Sequence, residues 1–168
     1  MKTIGNQSSF GLEIGLQEVD NSNLRKVSIF VGNQNICVDD NLVYIPSFVS
    51  SLIASANYLK NKIDYVKFEK YFLGLSTVEA HEFIKNTANV DSPEYKLVGG
   101  NIYGFHRFLD WGETTDNNIS FLIPINSFLY LTCEYNNNEP RDNVISASKV
   151  YPYQIIKTLE EAIDELKN

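Results

Sequence analysis

The sequence ISFLIPINSFLYLTCE, residues 119–134, decides the fold class because it holds two strands in direct succession. Residues 119–125 and residues 128–134 are both rich in β-branched and aromatic side chains, which favour strands. No helix lies between them, so this segment does not follow the regular βαβα order of a doubly wound parallel sheet. It predicts neighbouring strands of an antiparallel sheet.

The segment after these strands predicts one more strand and a terminal helix. The strand covers residues 144–150, and Pro152 then stands at a first-turn position of a helix, where proline is well tolerated. An apolar stripe with helical spacing follows, made of Ile155, Ile156, Leu159, Ala162, Ile163 and Leu166.

The segment before residue 119 predicts another strand at residues 102–108 and two helices. Ser76 and Glu79 form a capping box that starts a helix running through Ile84. An earlier helix opens at Pro46, and its apolar residues recur at helical spacing: Val49, Leu52, Ile53, Ala56 and Leu59.

The N-terminal part predicts an antiparallel meander, because residues 10–16 and residues 27–31 each alternate between apolar and polar side chains. A third short strand is predicted at residues 36–38. We therefore predict a single α+β domain over residues 1–168, a mainly antiparallel sheet with a few helices packed on it.

Composition narrows the class of protein. The chain has 168 residues, of which 43% are hydrophobic, enough for one core without metals or disulfides. Cys37 and Cys133 lie far apart without CxxC spacing, and we expect both to be buried and inert. The first residues lack an apolar signal segment, and we expect a cytoplasmic protein that does not contact membranes.

The histidines give no catalytic or metal-binding pattern. His81 is followed four residues later by Lys85, so the second histidine of a zinc-protease helix is missing, and we expect an ordinary helix residue. His106 stands among core-like aromatic residues, which favours a structural role. Gly99-Gly100 lacks the context of a phosphate-binding loop and predicts a turn. We expect no cofactor and no metal.

Charge makes nucleic acid a poor partner, because the formal net charge is -7. Residues 58–72 mix lysines with aromatic side chains, yet their net charge is only +2, and exposed lysines among core aromatics explain them. Residues 101–168 carry 5 basic and 10 acidic side chains, whereas residues 1–100 carry 9 and 11. The acidity is therefore concentrated toward the C-terminus.

Part of that acidity surrounds the single tryptophan. Trp111 stands among Asp110, Glu113 and Asp116, a pattern typical of an interface anchor that selects a cationic partner. The alternative is that Trp111 packs onto the core and the acids only aid solubility. Glu134 and Glu139 flank the asparagine run at residues 136–138 and add to the acidic loops.

The order of these features resembles that of the immunity proteins that protect bacteria from polymorphic or contact-dependent inhibition toxins. The segments that carry the resemblance span most of the chain: residues 9–14, 27–38, 46–60 and 73–79, Asp110-Trp111, residues 119–125 and the terminal helix. The resemblance implies a small, acidic, cytoplasmic protein without enzymatic activity. It also implies that the protein binds the C-terminal domain of one cognate toxin and covers its active site or substrate groove.

The charge agrees with that implication, because a nuclease toxin needs a basic surface for its phosphate substrate, and an acidic inhibitor can compete for it. The predicted toxin-binding residues are Asp110, Trp111, Glu113, Asp116, Glu134 and Glu139. The alternative is a small enzyme or ligand-binding domain, which predicts a pocket where His81 or His106 faces a carboxylate. A third possibility is an adaptor subunit of a larger assembly.

Overall fold

The protein forms two antiparallel sheets and six helices, 38% helix and 35% strand, in the part of the chain that is described. The computed structural model describes residues 1–18, 21–37, 40–61, 66–135 and 144–168. The predicted α+β class is confirmed. None of the described helices is both long and apolar enough to cross a membrane.

The first sheet is built from the N-terminal meander. Its strands are β1 (Lys2–Asn6), β2 (Phe10–Glu18), β3 (Asn21–Val31), β4 (Gln34–Asn35) and β5 (Leu42–Tyr44). They are ordered β1-β2-β3-β4, and β5 pairs with β3. Every second residue faces the core over residues 10–14 of β2 and 27–31 of β3, because successive side chains of a strand point to opposite faces. The alternation ends before Leu16, which is 82% exposed. The facing pairs are Phe10 with Val31, Leu12 with Ile29 and Ile14 with Val27.

The second sheet contains β6 (Asn118–Ile125), β7 (Phe128–Tyr135) and β8 (Ile145–Val150), in that order. The β6–β7 hairpin turns through Asn126 and Ser127, whose φ angles are 51° and 65°. Two central residues with positive φ are the mark of the tight hairpin turn that matches strand twist. This turn fixes the register in which Leu122 lies opposite Leu131.

The six helices cover three different surfaces of the sheets. They are α1 (Ile45–Lys60), α2 (Val66–Glu69), α3 (Thr77–Asn86), α4 (Pro93–Val98), α5 (Tyr103–His106) and α6 (Pro152–Lys167). The long helices α1 and α6 pack on each other, and α6 also packs on β1 and β2. Leu122 and Leu131 on one face of the second sheet join the core that these elements share.

The opposite face of the second sheet carries a separate apolar cluster. Phe121 and Ile123 of β6 pack there against Phe72, Ala80 of α3 and Ile84 of α3. The second sheet therefore lies between the main core and the layer that contains α3. A change on the exposed side of α3 is thus remote from α1, which belongs to the other layer.

The prediction of a strand at residues 102–108 is wrong. Residues Tyr103–His106 form α5, and the Arg107 N–H donates to the carbonyl of Tyr103 in helical fashion. Only Arg107 makes an isolated bridge, to Phe121. The apolar residues Ile102 and Phe108 are buried at the two ends of the helical turn, so their burial does not require a strand.

The third strand was also predicted in the wrong place. Strand β4 is Gln34–Asn35, and Ile36 and Cys37 follow it as buried irregular chain. Residue 38, the end of the predicted strand, lies outside the described residues. Three predicted helix starts are confirmed: near Pro46, after Ser76 and at Pro152. The predicted turn at Gly99 is also confirmed, and this residue ends α4 with a φ of 77°. Four elements have no counterpart among the predicted ones: β1, β5, α2 and α4.

Candidate functional site

Three acidic residues lie together on the segment between α5 and β6. Asp110, Glu113 and Asp116 are all exposed. None of these carboxylates forms an ion pair with any residue that the structure describes. We call this segment, residues 110–116, the acidic loop. It presents three unneutralised negative charges at the surface.

A buried framework holds the acidic loop in place. Gly112 has a φ of 83°, a conformation that glycine adopts without steric cost, and a short 3-10 turn follows at Glu113–Thr115. The side chain of Thr115 is buried, and its Oγ1 accepts a hydrogen bond of 2.9 Å from the Trp111 backbone N–H. The three carboxylates therefore stand on a loop that its own hydrogen bonds fix.

Trp111 points from the acidic loop into the core. It is 5% exposed, and its Nε1 donates to Ser55 Oγ at 2.8 Å. Its ring makes edge contacts with Phe10, Phe48 and Phe108 at centroid distances of 5.7 to 6.3 Å. Trp111 therefore packs onto the core, which is the alternative given in the sequence analysis, and its part in toxin binding stays a prediction.

Glu134 is also internal. Its side chain is 2% exposed, and its carboxylate oxygens accept hydrogen bonds of 3.0 and 2.9 Å from Lys85 Nζ. Its carboxylate is thus occupied inside the protein, and the prediction that Glu134 contacts the toxin stays a prediction. Glu139, the remaining predicted contact, lies outside the described residues.

The acids of α6 behave differently from those of the acidic loop. Glu160 and Glu161 are exposed, as expected for a solvated helix face, and they pair with Lys60 and Lys157 at 2.6 and 3.7 Å. Their charges are therefore partly neutralised. The carboxylates of the acidic loop have no such lysine partners among the described residues.

Both histidines are buried beneath the surface. His81 Nδ1 lies 2.8 Å from Thr132 Oγ1, and His106 Nδ1 donates to the carbonyl of Leu122 at 2.7 Å. Burial lowers the pKa of each imidazole to about 4, and each is therefore neutral at pH 7. The structural role predicted for His106 is confirmed. His81 lies on a helix as predicted, with a fixed hydrogen-bond partner that helical spacing does not reveal.

The cysteines are buried, as predicted. Burial raises the pKa of Cys37 to about 12 and that of Cys133 to about 11. Both groups are therefore thiols at neutral pH, and a thiol is a much weaker nucleophile than a thiolate. Among the described residues, no group of three or more His, Cys, Asp or Glu side chains is arranged to hold a metal ion.

The enzyme alternative requires a histidine that faces a carboxylate in a pocket. His81 Nε2 does lie 3.4 Å from Glu134 Oε2, but both side chains are fully covered by the protein. Five surface pockets formed by the described residues are lined by other side chains, and His81 and His106 are not among them. The two side chains therefore face each other inside the protein, away from these five pockets.

Two open pockets border Trp111, and neither could be predicted from spacing. One, of about 290 Å³, lies between β5, the start of α1 and Trp111–Thr114. The other, of about 350 Å³, lies between the middle of α1 and residues 107–110. The Trp111–Ser55 hydrogen bond separates them. Both combine an apolar lining with one carboxylate of the acidic loop.

The described residues thus form an α+β fold with an ordered acidic loop and two pockets beside it. The chain shares this fold with the crystal structure of CdiI from Burkholderia dolosa AUO158, an immunity protein of a contact-dependent growth inhibition system. The two are 14% identical with a TM-score of 0.61, over 98% of this chain and 99% of that chain. Comparison with models of protein families and with curated proteins finds no match.

Proposed function

We propose that this chain is an immunity protein, which binds a cognate bacterial toxin domain stoichiometrically and protects the producing cell from contact-dependent growth inhibition. The observation that supports this proposal most strongly is the likeness to CdiI along the full length of both chains. Because the match spans nearly all of both chains, it favours the same kind of action. Neutralisation by binding requires no catalysis, and the proposed place of action is the cytoplasm.

The charge of the chain supports a toxin with a basic surface, for which we propose a nuclease. The net charge is -7, and Asp110, Glu113 and Asp116 lie exposed and unpaired among the described residues. Such a surface attracts a cationic partner and accelerates its association. We propose these three residues as toxin contacts. Trp111 contributes from behind, because it fixes the acidic loop to α1.

Co-expression tests the proposal directly. The toxin candidate is the C-terminal domain of the polypeptide encoded immediately upstream of this chain's gene. Growth is measured in cells that express this domain alone, this chain alone, or both. We expect the domain alone to stop growth, co-expression to restore it, and the two polypeptides to co-purify in a 1:1 complex.

A charge control separates specific rescue from an effect of overexpression. The control is a variant with Asp110, Glu113 and Asp116 all changed to lysine, which we expect to rescue less well at low expression. Killing that the wild-type chain does not relieve contradicts the proposal. Rescue without a complex contradicts neutralisation by binding and favours an enzyme or an adaptor.

A further inference from the structure

The pocket between β5, the start of α1 and Trp111–Thr114 has the form of a side-chain receptacle. We call it the Glu113 pocket. Leu42 and Tyr44 form its exposed apolar wall, and the buried rings of Phe48 and Trp111 lie beneath it. Its volume of about 290 Å³ exceeds that of any single side chain. The lining combines these apolar side chains with the polar residues Ser47, Glu113 and Thr114, and concave sites of mixed lining are typical places for ligand groups to bind.

The charge of this pocket is negative. Glu113 is the one charged residue among the described side chains that line it, and it has no ion-pair partner among them. The first turn of α1 has no acidic residue and no side-chain cap, so the helix end contributes a positive charge of about half an elementary unit. The full charge of the carboxylate exceeds that contribution.

The neighbouring pocket on the other side of the Trp111–Ser55 hydrogen bond is a poorer cation site. Its lining contains Asp110 but also Arg107, whose guanidinium opposes an incoming cation. Arg107 Nη2 donates to the carbonyl of Asn118 at 2.8 Å, which fixes the guanidinium in this position. The two charges offset each other. The Glu113 pocket has no corresponding cation.

We propose that the Glu113 pocket receives a lysine or arginine side chain of the toxin, an inference that rests on the proposed function. The aliphatic stem of that side chain lies along Leu42 and Tyr44, and its charged head pairs with Glu113. Long basic side chains bury their stems on apolar surface in this way while the head keeps a polar partner. The pocket thus offers apolar contact area for the stem and a carboxylate that selects a positively charged head.

The pocket is preorganised for this role. Trp111 is held by its indole hydrogen bond to Ser55 and by three ring contacts, and Thr114 beside Glu113 is buried. A pocket whose floor is already fixed loses less conformational entropy when a partner binds. This is the condition under which one buried cationic anchor dominates an interface.

Two variants test the pocket by independent means. Glu113→Gln removes the charge and keeps the shape, whereas Ser47→Phe places a ring at an exposed lining position and fills the space. The controls are Asp91→Asn, which removes an exposed charge, and Val78→Phe, which adds a ring on α3 in the opposite layer. The probe is the C-terminal domain encoded immediately upstream, with Kd measured by calorimetry.

We expect Glu113→Gln and Ser47→Phe each to raise Kd by about tenfold or more, in line with the loss of one partner of an interface charge pair. We expect the Kd of both controls to stay within about twofold of the wild-type value, because substitutions at ordinary surface positions have small effects. Unfolding midpoints are measured for all four variants. Because Glu113→Gln adds no bulk, it keeps the test decisive if Ser47→Phe folds poorly.

The outcomes separate the two proposals. If the wild-type chain binds the domain and rescues growth but both pocket variants bind normally, the pocket proposal is overturned and the proposed function stands. Equal weakening by the pocket variants and their controls overturns it too. If the wild-type chain neither binds nor rescues, the proposed function fails and the pocket proposal falls with it.

Discussion

At the scale of single residues, the ion pair between Lys85 and Glu134 is the most consequential polar contact in the described interior. Burial alone would lower the pKa of Lys85, but its hydrogen bonds to Glu134 and Glu82 outweigh burial and raise it. Removal of one partner from such a pair leaves the other charge in a poorly solvated place. We therefore expect loss of Lys85 to destabilise the fold, although the sequence predicts Glu134 to be a surface acid.

We expect Lys85→Met to lower the free energy of unfolding by about 2 kcal/mol, less than for a fully buried pair because the Lys85 side chain is 29% exposed. Urea unfolding measures the change. The matched control is Lys157→Met, which removes an exposed pair with Glu161 and should cost less than about 0.5 kcal/mol. Equal losses in the two variants would contradict the internal role of Glu134.

The buried histidines predict a loss of stability in acid. Both have a folded pKa of about 4, whereas the unfolded value is 6.5. As pH falls below 6.5 the unfolded chain takes up protons that the folded chain excludes, so the free energy of unfolding decreases. The loss is complete below about pH 4 and amounts to roughly 3 kcal/mol per histidine.

The variant His106→Asn isolates one of these groups, because an amide can still donate to the carbonyl of Leu122. The variant also loses ring contacts with Phe68 and Phe72, so its absolute stability falls at every pH. The informative quantity is the slope of the unfolding free energy against pH between pH 6.5 and pH 4. This slope reports the number of protons taken up on unfolding, and we expect that number to be lower by about one in the variant. An unchanged slope would show that His106 titrates normally.

At the scale of secondary-structure elements, local signals predicted the helix ends well and the irregular chain badly. Ser76 and Glu79 satisfy backbone groups within one turn, so their pattern is complete in the sequence. Residues 102–108 are different, because their apolar residues serve a four-residue helix whose burial depends on Phe68, Phe72 and β6. Contacts with segments that are distant in the sequence therefore determine that this element is a helix.

The capping box gives an element-scale prediction. Ser76 Oγ accepts from the Glu79 backbone N–H at 3.2 Å, and the Glu79 carboxylate accepts from the Ser76 backbone N–H at 2.8 Å, which lowers the pKa of Glu79. We expect Ser76→Ala to lower the free energy of unfolding by about 1 kcal/mol and Ser76→Asp to restore most of it. Chemical denaturation measures both. Identical stability of the two variants would contradict a capping role.

At the scale of the whole molecule, charge could be predicted from the sequence and shape could not. The acidic loop was recognised because Asp110, Glu113 and Asp116 are close in sequence. The direction of Trp111 depends on Phe10, Phe48 and Ser55, which lie far away along the chain. The same holds for the Glu113 pocket, which β5 and α1 close from another part of the chain. The geometry of the candidate binding surface therefore depends on contacts between segments that are far apart in the sequence.

The proposed function makes a kinetic prediction at this scale. If the acidic loop steers a basic toxin domain, reversal of Asp110, Glu113 and Asp116 to lysine slows association by about tenfold or more at low ionic strength. The salt dependence becomes shallower, because less attraction remains for ions to screen. The control reverses three other exposed acids, Asp91, Glu161 and Asp164, with the same change of net charge.

Stopped-flow association at two salt concentrations distinguishes the possible results, because the two triple variants carry the same net charge in different places. Steering by a local surface predicts that only the acidic-loop variant is strongly slowed, since charges more than about 8 Å from the contact are largely screened at physiological salt. If both variants are slowed equally, net charge alone attracts the toxin. If neither is slowed, the toxin binds a surface other than the acidic loop.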